Sequence, residues 1–149
     1  MLLPSLHQLF ERDLQALIQE IEAYPDETDL WLVENTISNS AGNICLHLIG
    51  NLNHFIGSQL GGNGYVRQRE VEFSKKNVPK RELIDMINDT RSMIIKTLKN
   101  LTEERLEQDY PLIIFKEKMS ISFFLVHLTT HLAYHLGQIN YHRRLLTNV

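Results

Sequence analysis

One stretch, SISFFLVHLTTHLAYHLGQINYHRRLL from Ser120 to Leu146, holds four of the chain's seven histidines and no acidic residue. His127, His131 and His135 follow one another at i, i+4 and i+8, so an α-helix would carry them as a single, slowly drifting stripe. Gln138 and His142 extend it. Phe123, Phe124, Val126, Leu128, Leu132, Leu136, Ile139, Leu145 and Leu146 fill the other faces. A helix apolar over so much of its circumference is expected to be buried on several sides. Imidazoles in such a helix must be hydrogen-bonded, bound to a metal or turned to water.

The rest of the chain reads as partners for this helix. From about Ser5 to Ala23, Leu6, Leu9, Phe10, Leu14, Leu17, Ile18 and Ile21 share one face, and Tyr24-Pro25 ends the pattern. PDETDLWLV is a connection in which Trp31 is expected to plug one end of the molecule. Ser38, Asn39 and Ser40 offer N-caps for a second helix reaching about Leu60, stopped by Gly61-Gly62. Gly61 to Val78 is a long glycine-led loop without clear periodicity, and loops of that length in a compact domain usually serve function. Asn77 and Pro79 announce a third helix carrying Leu83, Ile87, Ile94, Leu98 and Leu101. Thr102 caps a short turn, LIIF at 112–115 is a short extended piece of ambiguous period, and Ser120 caps the histidine helix. Four amphipathic helices without repeats predict an all-α, four-helix bundle forming one domain over residues 1–149.

A formal net charge of −3, with basic residues only in the small groups Arg67/Arg69, Lys75/Lys76 and Arg143/Arg144, argues against a nucleic-acid or anionic-membrane partner. The single cysteine, Cys45, excludes an intrachain disulfide and fits a reducing compartment. It sits nearly opposite His47 on the second helix and reads as a small core residue. MLLPSLHQLFERDL gains charge too early for a signal peptide, and no uncharged run approaches the roughly 18 residues of a membrane span. A cytoplasmic location is expected.

The second helix has its own polar stripe, His47, Asn51, His54 and Ser58, in an apolar context. Two such stripes on buried helices would rest against each other across the interior. Two histidines at i, i+4 can bind one metal from one helix, and a third from a neighbouring helix completes a facial set with an open position. Neither helix carries an acid, so the Glu-x-x-His pattern of di-iron bundles and the acid of a 2-His-1-carboxylate iron site are absent. All-imidazole ligation suits Zn²⁺ or Ni²⁺, and the chemistry would be Lewis-acid activation of water or a thiol rather than redox.

At HLAYHLGQI the sequence resembles the DinB-like (YfiT-like) superfamily of metal-dependent four-helix-bundle enzymes, marked by His-x-x-x-His, usually followed by Arg-Gly-Gln, on the last helix, with a third histidine on the second. His131 and His135 match the pair and Gly137-Gln138 the tail, while Leu136 stands where Arg is usual, so the contact of that Arg is not expected here. The block from LWLVENTISNS to REVEFS is similar to a subgroup of unknown function within the same superfamily. The resemblance implies a metal site at His47, His131 and His135. His54, two turns beyond His47 and about 10 Å further along the axis, is the rival third ligand. His127, Asn51, His54 and Gln138 are then pocket or supporting residues, and Tyr65, Arg67 and Arg69 are candidates to grip an anionic part of thiol or substrate. The resemblance further implies a homodimer acting on a small molecule, with thiol S-transfer using a low-molecular-weight thiol such as bacillithiol as the leading subclass and hydrolysis as the other. Its competitors are a non-catalytic binding or structural bundle with hydrogen-bonded core histidines, and a catalytically silent metal protein.

Overall fold

A computed structural model describes residues 1–147. The chain is all-helical, with six α-helices and no strand among the described residues. Four are long or central: α1 (Leu3–Glu22), α2 (Ala41–Leu52), α4 (Lys80–Lys99) and α6 (Ile121–Leu146); α3 (Arg69–Ser74) and α5 (Glu103–Leu106) are short. The expected caps are in place: Ser40, Thr102 and Ser120 each accept a backbone N–H three residues on, starting α2, α5 and α6. The stretch 112–115 makes no strand; only the isolated bridges Asp109–Ser120 and Phe115–Glu117 form in this region.

Packing follows composition. Ala41 to Leu52 carries no charged side chain, and every one of its residues is buried. It packs against α6 on one side, α4 on another and α3 on a third, while α1 packs against α4 and α6. The periodic faces of α1 (Leu6, Phe10, Leu14, Leu17, Ile21) and α4 (Leu83, Ile87, Ile94, Leu98) supply the rest of the core. Each such side chain stabilises the fold by about 1.5–3 kcal/mol on burial. At the rim, Arg91 grips Glu11 through Nη2 at 2.7 Å and Nε at 3.0 Å, and Arg143 Nε meets Glu20 at 2.9 Å, tying α1 to α4 and α6. Arg143 thus has a specific partner besides the helix dipole.

Three further features depart from the sequence expectation. The stretch Gly61 to Val78, expected as a loop, contains the helix α3. The second helix does not run straight to Leu60: Asn53–Ser58 is a π-helical turn. Gln59 N–H bonds back to His54 O and Gly61 N–H to Ile56 O, each five residues away. The Phe55 carbonyl passed over by this pattern accepts from the buried Tyr110 hydroxyl at 2.7 Å. The last helix is buried on fewer sides than its composition suggests, for Phe123, Val126, Tyr134, Tyr141 and Leu145 are exposed. Among the described residues no helix is long and apolar enough to cross a membrane. Cys45 is fully buried, which pushes its thiol up to about 12.

Candidate metal centre

The two polar stripes meet. His47 on α2 reaches across to α6, where its Nε2 lies 3.3 Å from His131 Nε2; His135 Nε2 lies 3.2 Å from the same atom. Ligand atoms of the three residues all fall within 4.8 Å of one another and could hold a metal ion. Tetrahedral ligation with metal–nitrogen distances of 2.0–2.1 Å places ligand nitrogens about 3.3–3.4 Å apart. The two separations from His131 Nε2 are close to that.

The outer ring nitrogens decide what the inner ones present. His47 Nδ1 lies 3.1 Å from Glu72 Oε1, and His135 Nδ1 lies 2.7 Å from Gln138 Oε1. An oxygen acceptor at each position puts the proton on Nδ1, so both Nε2 atoms face His131 as lone pairs. Neutral His131 carries one proton. On Nε2 it satisfies one of those lone pairs and leaves the other unmet; on Nδ1 it has no partner, since that atom is buried and unpaired. Burial, with His135, His47, His127 and Arg67 nearby, pushes His131 down to about 4, and burial lowers His135 as well, so a second proton is disfavoured. With both outer protons on Nδ1, hydrogen bonds among the three rings leave one lone pair or one N–H of the cluster unmet, whereas one cation would take all three lone pairs.

Behind His47 stands an acid that sequence reasoning missed. Glu72, on α3, is only 6% exposed and accepts from Arg67 Nε at 2.9 Å and Nη2 at 3.0 Å besides His47. Burial alone would raise its carboxyl, but the bonds from His47 and Arg67 hold it below the usual range. Arg67 Nη2 is also 3.4 Å from His47 Nδ1; both are donors, so the guanidinium bonds the carboxylate alone. The result is a carboxylate–histidine arrangement of the kind that orients ligands in metal sites. It fits against α2 only because residue 50 is glycine: a Cβ there would stand 2.0 Å from Glu72 Oε2.

The remaining sequence candidates lie around the cluster rather than in it. His54 packs edge-on to Phe55 with ring centroids 4.7 Å apart, and burial lowers its pKa. His127 stacks on Phe124 at 5.7 Å and meets Phe115 edge-on at 4.9 Å. Asn51 is buried one turn after His47, with Oδ1 unpaired. His142 is pinned, 2.7 Å from the Tyr24 hydroxyl and donating to Leu32 O at 2.9 Å, and serves packing. Tyr65 lines a depression with Gly50 and Glu72, and Arg69 lies over the Phe73 ring at 5.3 Å.

The family model for "Protein of unknown function (DUF1572)" matches residues 2–149. The chain belongs to the DUF1572 family. No curated protein matches it. What this DUF1572 chain offers chemically is thus read from its own residues. His47 and His135 border a cleft of about 450 Å³, also lined by Phe73, Tyr134 and Gln138, which opens the cluster to small molecules. No acid contributes to the histidine set, so an ion held there would keep its full charge.

Proposed function

We propose that this DUF1572 protein is a metal-dependent four-helix-bundle enzyme of the DinB-like type, with a Zn²⁺ or Ni²⁺ ion on His47, His131 and His135. The observation that carries the reading is the convergence of three imidazole Nε2 atoms whose lone pairs hydrogen bonds among the three rings do not all satisfy. The bundle reading is supported by the circuit in which α1 packs on α4 and α6 while α2 packs on the same two helices.

Three neutral imidazoles leave a divalent ion able to lower the pKa of bound water towards about 7, or to hold a thiol as thiolate. The chain's own residues prepare that chemistry. Glu72 keeps His47 Nδ1 protonated and its ring aimed inward, Gln138 does the same for His135, and packing holds His131 neutral between them. The reaction class is transfer or hydrolysis by Lewis-acid activation, with thiol S-transfer the leading subclass and bacillithiol a candidate thiol. A homodimer in the cytoplasm is part of the same reading.

Elemental analysis of protein purified without a His-tag tests it. Wild type should carry a single equivalent of Zn or Ni per chain, lost in His131→Ala and His135→Ala. Failure of the wild type to take up either metal, even after incubation, would return the cluster to a hydrogen-bonded core.

A further inference from the structure

The three histidines are not equally supported. His47 has Glu72 behind its outer nitrogen and His135 has Gln138, whereas His131 Nδ1 is buried without a partner. Among the described residues, the other buried side-chain atom left without a partner is an acceptor, Asn51 Oδ1, in a residue only 6% exposed. Two orphaned polar atoms in one interior call for a common explanation.

Helix register brings these two residues to the same place. The His47 ring centroid lies 5.2 Å from that of His131 and 5.1 Å from that of His135, while Phe55 meets Phe124 at 5.0 Å. The two helices therefore run antiparallel, rising residue numbers on α2 facing falling ones on α6. Asn51 is one turn after His47 on the same face, midway to Phe55, and falls opposite the 127–131 turn of α6. Rival acceptors are poorly placed. The His127 ring centroid is 6.2 Å from that of His131, which keeps their nitrogens beyond hydrogen-bond distance. Arg67 carries donors only and is held by Glu72.

We infer that Asn51 is the positioning residue of His131: its Oδ1 accepts the Nδ1–H that His131 must carry when Nε2 gives its lone pair to a metal ion. The inference rests on the metal reading above. The step is a change of tautomer, in which the ring gives up a proton at Nε2, takes one at Nδ1 and stays neutral. Asn51 Oδ1 and His131 Nδ1 are not bonded beforehand, and a rotation of the amide or one bridging water closes the contact. All three ligands then share one plan, Nε2 inward and Nδ1–H on an oxygen, supplied by Glu72, Asn51 and Gln138.

The test uses full-length protein labelled with ¹⁵N-histidine, with zinc as the probe. Zinc-loaded wild type should show His131 as the Nδ1–H tautomer with a downfield ring proton. Asn51→Leu keeps the volume and removes the acceptor. It should move that proton upfield and weaken zinc binding about 10–100-fold in a competition titration. The Tm of metal-free Asn51→Leu should stay level or rise, because an unpaired buried oxygen has been removed. Asn51→Asp restores an acceptor and should recover the affinity. A merely structural Asn51 would do the reverse, and a lowered metal-free Tm with zinc affinity intact would overturn the assignment. His127→Phe should leave the ring proton in place; its loss there would make His127 the acceptor and reject Asn51. Zinc bound equally by wild type and Asn51→Leu would sink this assignment alone, whereas wild type that takes up no zinc would sink the metal reading and the assignment with it.

Discussion

At the scale of single residues, the centre depends as much on what stands behind the histidines as on the histidines. Glu72→Gln keeps the volume and an acceptor oxygen but removes the charge that holds His47 Nδ1 protonated. Metal affinity should fall by about 10–100-fold in a competition titration, and an unchanged affinity would reduce Glu72 to an anchor for Arg67. The lowered histidine values also fix a pH dependence. An unfolded histidine binds its proton near pH 6.5, whereas native His131 does so only at about 4. Between those values the unfolded chain holds more protons, so the stability of metal-free protein rises with pH through the window and is lost as pH falls from about 6.5 to about 4. Denaturation midpoints measured with chelator present should follow that slope, and His131→Gln should flatten it. The pair His131/His135 was legible in the sequence because helical spacing alone puts i and i+4 on one face. Glu72 was not. It comes from a six-residue helix inside a glycine-led loop, where no period announces which way a side chain points.

At the scale of elements, α2 is the scaffold, and its neighbours reach it through gaps in its surface. Gly50 is one such gap, and the carboxylate of Glu72 fills it. Gly50→Ala should displace α3 from α2, costing about 1–3 kcal/mol by overpacking and weakening metal binding in parallel. Chemical denaturation and a metal titration of the same variant would check both, and intact affinity would separate α3 from the site. Helix starts were readable to within a residue or two, since Ser40, Thr102 and Ser120 cap where their side chains suggest. The π turn at Asn53–Ser58 was not readable, because its stability comes from Tyr110, more than fifty residues away, capturing the Phe55 carbonyl. The outer side of α6 was misjudged for a similar reason: composition counts apolar residues, but only neighbours decide which of them are covered.

At the scale of the molecule, the three histidines join two helices that are remote in sequence, with His47 and His131 84 positions apart. A ligand that binds only the folded arrangement stabilises it by mass action. At a hundredfold excess over its Kd, Zn²⁺ or Ni²⁺ should add about 2.7 kcal/mol, a rise in Tm of roughly 5–10 °C for a chain of this size. Differential scanning calorimetry should show that rise in wild type, its reversal by EDTA, and its absence in His135→Ala. An equal rise in the variant would place the bound metal elsewhere.

The widened turn after α2 bears on how this family can vary in length. An α-helix rotates the chain by about 100° per residue, so the extra residue in that turn sets the bearing on which the backbone leaves toward Arg67 and Glu72. Deleting one residue within 53–58 would restore a regular helix and send the loop off to another side of α2, away from His47. Insertions and deletions should therefore be excluded from the π turn, where one residue more or less is the difference between a supported histidine and a bare one.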